Sequence, residues 1–249
     1  MDLRDSVAIV TGGNGGLGQR ICHALAGAGA NIAVVYAQSK QQAESVAADL
    51  RRLEVDAEAF ACDVTSEEQV AAMVAAVDKR FGKVDILVND AAYNKAIPFG
   101  DLDNLTLNEW TKIIDVNLTG PMLCTKAVAP YMKRQGSGRI VNISSVAGLA
   151  PTGSSIAYAV SKAGLIHLTR CMAVALAPEV LVNCIAPGLL EGTRATENLL
   201  QSQIDSSKAL SLLKVAADKD DVADQVLTLC RTNTTTGQTL VIDAGRIFH

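Results

Sequence analysis

The chain has 249 residues, of which 49% are hydrophobic and 19% charged, so a large core is available and global disorder is excluded. With 22 Lys+Arg against 26 Asp+Glu the net charge is −4, which argues against a broad electrostatic footprint for nucleic acid or an anionic membrane. Six cysteines, at 22, 62, 124, 171, 184 and 230, form no C-x-x-C pair, and their small or apolar neighbours predict buried free thiols rather than a disulfide framework or a metal site.

The first predicted strand is VAIVT (7–11), which runs into the turn TGGNGGLG (11–18) and a helix over 16–28. Strand NIAVVY (31–36), helix 40–53, strand AEAFAC (57–62), helix 66–81 and strand DILVN (85–89) follow. A long helix is expected over 106–133, then strand RIVNIS (139–144), then a helix over 155–177 that Pro178 ends. Strand LVNCIA (181–186) leads to a loop at 189–212. A helix is expected over 219–230, within the solvated amphipathic stretch that begins AADKDDVADQVL (216–227), and TNTTTGQTL turns into the last strand, TLVID (239–243). The runs VAIV, AVV, ILV and IVNI are apolar on both faces, which suits parallel strands covered by helices on each side. Strand–helix alternation over 1–249 predicts one α/β domain, a Rossmann-type doubly wound parallel sheet of about seven strands. Right-handed crossovers bring the strand C-terminal ends to one edge, where ligands bind.

The opening MDLRDSVAIVTGG has no signal-peptide pattern, and the longest apolar stretch, CMAVALAPEVLVNCIAPGLL, is interrupted by two prolines, a glutamate and an asparagine. A soluble, cytoplasmic protein is expected.

Five glycines in the eight residues 11–18 let a diphosphate approach the backbone at the positive end of the following helix. The strand–turn–helix context favours a dinucleotide, with Gly12, Asn14, Gly16, Leu17 and Gly18 as its contacts, and the absence of G-K-[ST] excludes a P-loop. In ACDVT, Asp63 can accept from an adenine amino group while Val64 packs on the ring; equally, Asp63 can cap the helix that starts near Ser66. In VNDAA, Asn89 can bond backbone across the loops, and Ala91 leaves room for a cofactor. In YAVSK, Tyr158 and Lys162 share a helix face, either as a surface pair or as an acid tuned by a cation. His23 and His167 lie within helices, away from any strand edge.

These pieces together resemble the short-chain dehydrogenase/reductase family in its compact single-domain form, over Val7 to Gly245. The family's T-G-x-x-x-G-x-G stands as Thr11, Gly12, Gly16 and Gly18, and its D-V as Asp63-Val64. N-N-A-G stands as Asn89-Asp90-Ala91-Ala92, departing at two places; DVNLTG, NISSVAG, YAVSK and IAPGLL complete the set. The resemblance implies that Tyr158 is general acid or base, that Lys162 lowers its pKa and holds the nicotinamide ribose, and that Ser145 polarises the substrate oxygen. It also implies that Asn117 kinks its helix and holds a relay water. Ser145, thirteen residues before Tyr158, is preferred over Ser144, which ends its strand. Pro187, Gly188 and the Leu190 backbone would contact the cofactor; Thr193 sits one residue out of the family's P-G-x-x-x-T register.

At the end of the second strand, Tyr36 stands where an acid would select NAD, and Ser39 and Lys40 can bind a 2′-phosphate. NADP(H) is favoured and NAD(H) possible, since Gly15 stands where related enzymes carry a basic residue; Lys40 can also be simply a solvated helix residue. The substrate pocket is expected from 91–95, 146–156 and 189–212. The nearest flavour is 3-oxoacyl-carrier-protein reductase, with Lys133 and Arg134 near the carrier's docking place, although the second basic site is missing from APEVLVN. A small carbonyl or alcohol substrate and a closed homo-oligomer, tetramer or dimer, are expected. The competing readings are an NAD-dependent dehydrogenase of secondary alcohols such as sugars, steroids or cyclic polyols, and a non-enzymatic dinucleotide sensor.

Overall fold

The apolar runs become the interior strands of one parallel sheet. The computed structural model describes residues 1–193, 196–197 and 199–248. Its strands are β1 (Val7–Thr11), β2 (Asn31–Tyr36), β3 (Ala57–Ala61), β4 (Ile86–Asn89), β5 (Gly138–Ile143), β6 (Val180–Pro187) and β7 (Thr239–Ile242). Their order is β3-β2-β1-β4-β5-β6-β7, every neighbouring pair parallel. The chain winds outward from β1 to β3, then returns to lay β4 on the other side of β1. The topological switch point therefore falls between β1 and β4, the place where open α/β sheets bind ligands.

The helices are α1 (Gly18–Gly27), α2 (Lys40–Leu50), α3 (Glu67–Phe81), α4 (Leu107–Ile114), α5 (Gly120–Gln135), α6 (Ile156–Leu176), α7 (Gln201–Leu210) and α8 (Lys219–Arg231). Strand residues alternate between two cores. Ala8, Val10, Ile32 and Val34 pack toward α1, α2 and α8. Val7, Ile9, Ala33 and Val35 pack toward α3, α5 and the end of α6. Each fully buried Ile or Leu, such as Ile9 or Leu87, is worth about 1.5–3 kcal/mol over an exposed one.

Four details differ from the pattern read in the sequence. The helix expected over 106–133 is two, α4 and α5, joined by a π-helical stretch at Asp115–Thr119. The last turn of the helix expected over 40–53 tightens to a 3-10 turn at Arg51–Leu53. The loop at 189–212 contains α7, and its residues 194, 195 and 198 lie outside the described residues. Cys171 is exposed on α6, where a buried thiol was expected. By length and composition α6 could cross a membrane, yet it lies against β5 and β6 as a core helix. The helix over 219–230 is solvated on one side only, because Val222, Ala223 and Val226 are buried against the α1 side of the sheet.

Candidate active site

The glycine turn is shaped by close backbone approach. Gly12 has φ +68°, and a Cβ there would meet the Ala91 backbone at 3.1 Å. A Cβ on Gly18 would strike the Gly12 carbonyl. Only glycine fits both, so the turn is pulled tight against the 90–91 segment across the switch point. Thr11 Oγ1 completes that junction, accepting from the Asp90 and Ala91 N–H groups at 3.1 Å each. Helix α1 has Leu17 at its N-cap, which supplies no side-chain cap, and the Gln19 N–H donates to the Gly15 carbonyl at 3.0 Å. Asn14 Nδ2 donates to the Gln38 carbonyl at 3.0 Å, tying the turn to the end of β2.

Helix α6 delivers the tyrosine and the lysine. Ser155 caps it by accepting from Tyr158 N–H at 3.1 Å, which puts Tyr158 in the first turn. Lys162, one turn on, is buried. Its Nζ donates to the Ile143 carbonyl at 2.9 Å and lies 5.7 Å from the Tyr158 ring centroid. Ser145 begins the short 3-10 turn Val146–Gly148 and accepts from Ala147 N–H at 3.2 Å. Its hydroxyl also pairs with the Tyr158 phenol. Ser144 is turned away, donating to the Lys162 carbonyl at 2.8 Å, so Ser145 is the serine that faces the tyrosine. A Cβ at Gly148 would meet the Lys162 backbone at 2.7 Å, so this glycine lets the 3-10 turn lie flat on α6.

Burial holds the Tyr158 phenol above its usual range, opposed by the Ser145 hydrogen bond and reinforced by Asp90. Burial pushes Lys162 down to about 8, against the raising effect of Asp90. Without bound cofactor, therefore, the expected lowering of the tyrosine by Lys162 is outweighed by desolvation, and Tyr158 is a protonated donor at neutral pH.

Asn117 sits in the π-helical stretch and is wholly buried. Its Oδ1 accepts from Tyr93 N–H at 2.7 Å; its Nδ2 donates to the Tyr93 carbonyl at 3.0 Å and to Ser161 Oγ at 3.1 Å. The expected kink is present as this π-bulge. Both amide hydrogens are engaged, so a relay water behind Lys162 would have to use backbone rather than this side chain. Ser161 was not singled out in the sequence, although its place inside YAVSK, three residues after Tyr158, puts it on that side of the helix.

The short chain dehydrogenase family pattern matches residues 6–204. The chain belongs to the short-chain dehydrogenase/reductases. A protein named as ketoacyl reductase 2 of the granaticin polyketide synthase of Streptomyces violaceoruber is 38% identical over 241 residues, covering 96% of this chain and 95% of that protein. Among solved structures, NADPH-dependent 3-quinuclidinone reductase from Rhodotorula rubra superposes with a TM-score of 0.90 at 28% identity, covering 98% and 92% of the two chains. NAD+-bound xylitol dehydrogenase matches with a TM-score of 0.90 at 28% identity, covering 98% of this chain and 100% of that one. As a short-chain dehydrogenase/reductase, the chain is an NAD(P)-dependent oxidoreductase acting on CH–OH or C=O groups.

Within this family frame the cofactor's adenosine end would lie over the ends of β2 and β3. Tyr36 ends β2 and is buried; Ser39, at φ +62°, precedes α2. Lys40 is exposed and sits 3.5 Å from Glu44, so a 2′-phosphate would have to share it. Asp63 does not cap α3. Ser66 does, accepting from Gln69 N–H at 3.3 Å, while Asp63 accepts from Thr65 N–H and Oγ1 at 2.9 and 2.7 Å. Val64 is buried beside it. Asn89 is buried, donating to Asn142 Oδ1 at 2.8 Å, and its own Oδ1 has no protein partner.

The loop after β6 leans on the glycine turn: a Cβ on Gly16 would meet the Gly192 carbonyl at 2.5 Å. Gly188 N–H donates to the Ile242 carbonyl at 2.8 Å, extending the Pro187 end of β6. Thr193 and Thr196 both donate to the Leu190 carbonyl, at 3.1 and 2.8 Å. Thr193 is thus engaged in shaping its own turn. The opposite wall joins 93–98 to 150–155 through Ile97 N–H and the Ser154 carbonyl at 2.8 Å. Glu109 braces that wall, taking Lys95 at 2.7 Å and the Tyr93 hydroxyl at 3.3 Å. Of the basic pair near the α5 end, Lys133 donates to the Ala175 carbonyl and Arg134 stacks on Tyr131. His23 is exposed and paired with the Gln19 carbonyl, away from the cleft.

Proposed function

We propose that this short-chain dehydrogenase/reductase reduces a ketone to a secondary alcohol with NADPH, on a 3-oxoacyl or other small carbonyl substrate. The observation that carries the reading is the Tyr158–Ser145 hydrogen bond beside the buried Lys162 cation, at the strand ends facing the glycine turn. The residues fit the dinucleotide. The turn at Gly12 and Gly18 leaves no room for side chains, Leu17 brings no side-chain cap to the α1 terminus, and the unpartnered Asn89 Oδ1 wants a polar partner. Gly12, Asn14, Gly16, Leu17, Gly18, Asn89, Ala91, Pro187, Gly188 and the Leu190 backbone would hold it, with Asp63 and Val64 at the adenine and Tyr36, Ser39 and Lys40 at the 2′ position.

When bound, the reduced nicotinamide supplies the hydride. Tyr158 gives its proton to the developing alkoxide, and its raised pKa keeps that proton available at neutral pH. Ser145 donates to the same oxygen as charge grows there. Lys162 holds the ribose and keeps positive charge beside the phenol as it loses its proton. Asn117 positions the substrate wall by gripping both backbone groups of Tyr93.

The ketoacyl reductase likeness and the lack of an acid at the end of β2 support NADPH and reduction. The Lys40–Glu44 pair and the NAD+-bound xylitol dehydrogenase likeness favour a second reading, an NAD-dependent dehydrogenase of secondary alcohols. Carrier-protein docking has weaker support, because Lys133 is already turned to Ala175. A panel of 3-oxoacyl thioesters, small ketones and polyols, run with NADPH, NADH and their oxidised forms and followed by nicotinamide absorbance, separates these. Turnover only of polyols with NAD+ would replace the first reading by the second.

A further inference from the structure

Three buried side chains run from α6 to the switch point in one line of hydrogen bonds. Asn89 of β4 and Asn142 of β5 are register partners on neighbouring strands. Thr169 lies on α6, about two turns past Lys162. Asn89 Nδ2 donates to Asn142 Oδ1 at 2.8 Å, Asn142 Nδ2 donates to Thr169 Oγ1 at 2.9 Å, and Thr169 Oγ1 donates to the Leu165 carbonyl at 2.9 Å. The direction of the line is set at its α6 end. A backbone carbonyl only accepts, so the single hydroxyl proton of Thr169 goes to Leu165, and the hydroxyl oxygen is left to accept from Asn142. The Cys184 thiol flanks the same hydroxyl, and a proton sent to its sulfur would equally point away from Asn142. Asn142 then turns its oxygen to Asn89, and Asn89 answers with its nitrogen. What remains at the far end is Asn89 Oδ1, an acceptor shut off from bulk water and without a protein partner. Asn89 is the last residue of β4, beside Thr11 of β1 at the switch point. Were the line reversed, the same place would hold an N–H donor.

We propose that Thr169, working through Asn142, is the positioning residue that makes Asn89 a hydrogen-bond acceptor at the cofactor cleft, completed by a hydroxyl or amide N–H on the nicotinamide half of the dinucleotide. No step above uses Thr169 or Asn142. The nicotinamide half is the one concerned, because β4 and β5 lie on the side of β1 away from β2 and β3, over which the adenosine end would sit. A buried acceptor is costly until a donor reaches it, and bulk water does not reach this one. The inference rests on the reading of this cleft as a dinucleotide site.

Thr169→Val keeps the shape of the side chain and removes the hydroxyl, so Asn142 Nδ2 faces a methyl group. Buried N–H groups are left unpaired more rarely than carbonyl oxygens. The two amides should therefore turn over together, and Asn89 then offers its nitrogen. Equilibrium titration of wild type, Thr169→Val and Thr169→Ser with NADPH, ADP-ribose and ADP reads the consequence, each ligand being compared across the three proteins. Thr169→Val should raise the Kd for NADPH about fivefold or more, the loss of one hydrogen bond, and leave that for ADP unchanged. Thr169→Ser should restore the wild-type values. A loss shared by ADP-ribose assigns the donor to the ribose hydroxyls, and one confined to NADPH assigns it to the carboxamide. Equal losses for all three ligands would make Thr169 a purely structural residue and overturn the proposal, as would no loss for any. A second readout needs no ligand. In NMR of the free protein, the Asn89 side-chain NH2 should exchange slowly with water in wild type and Thr169→Ser, and faster in Thr169→Val, where it has lost Asn142 as its acceptor. Equal exchange in all three proteins contradicts the proposed orientation. Thr169→Ala serves as second variant should the valine not fold. Failure of wild type to bind any of the three ligands would overturn the underlying cofactor reading and the positioning role with it, while the exchange rates still report the amide orientation.

Discussion

Replacing Tyr158 with Phe separates chemistry from architecture at this site. The ring and its place in the first turn of α6 are kept, because Ser155 caps through the Tyr158 backbone rather than its hydroxyl. What is lost is the phenol proton and its bond to Ser145. Ser145 Oγ still accepts from Ala147 N–H, so it is not left orphaned. One hydrogen bond of this kind is worth about 1 kcal/mol net, or about 2–4 °C in Tm for a chain of this size. The kinetic cost should be far larger, because among the described residues Tyr158 is the acid whose side chain pairs with Ser145. General acid catalysis is typically worth about 10²–10⁴-fold, about 2.7–5.5 kcal/mol of barrier. Turnover should thus fall at least a hundredfold, with cofactor titration and Tm nearly unchanged. Single-turnover absorbance of the reduced nicotinamide, alongside fluorescence titration of the cofactor, reads both. A variant that kept more than about a tenth of wild-type turnover would refute the assignment, and one that lost cofactor binding in step with turnover would make Tyr158 a structural residue.

Gly18→Ala should lower dinucleotide affinity more than tenfold, about 1.4 kcal/mol or more, because its Cβ strikes the Gly12 carbonyl; equal affinity by equilibrium titration would show that the turn is not the cradle. Lys40→Ala should weaken NADPH more than NADH, with a wild-type preference of at least about tenfold that erodes with salt; equal losses would leave Lys40 as the partner of Glu44 alone and move NAD to first place. Val160 and Val174 on α6 and Leu240 on β7 are exposed. Such an apolar surface predicts a closed homo-oligomer, dimer or tetramer, and a monomeric mass by light scattering at micromolar concentration would refute it.

The sheet and the glycine turn were legible in the chain itself, because their signals are local. Both-face apolar runs such as VAIV and IVNI can only be satisfied between two helical layers, and Gly12 and Gly18 sit where any Cβ would collide. The order of the motifs pointed to Tyr158, Lys162 and Ser145 for the same reason: a helix face or a strand end is set by a few neighbouring residues. Other features depend on what lies across the fold. The break in the 106–133 helix follows from Asn117 reaching to Tyr93 and Ser161, neither of them within the same helix. Asp63 gave up the cap to Ser66 through the turn it makes with Thr65, a choice between two nearby polar side chains that sequence left open. The direction of the tyrosine's pKa was decided by burial, which a tyrosine–lysine spacing does not encode. Asp90 was visible in the chain only as a departure from a pattern. Its N–H meets Thr11 Oγ1 only because the switch point brings β1 and β4 side by side.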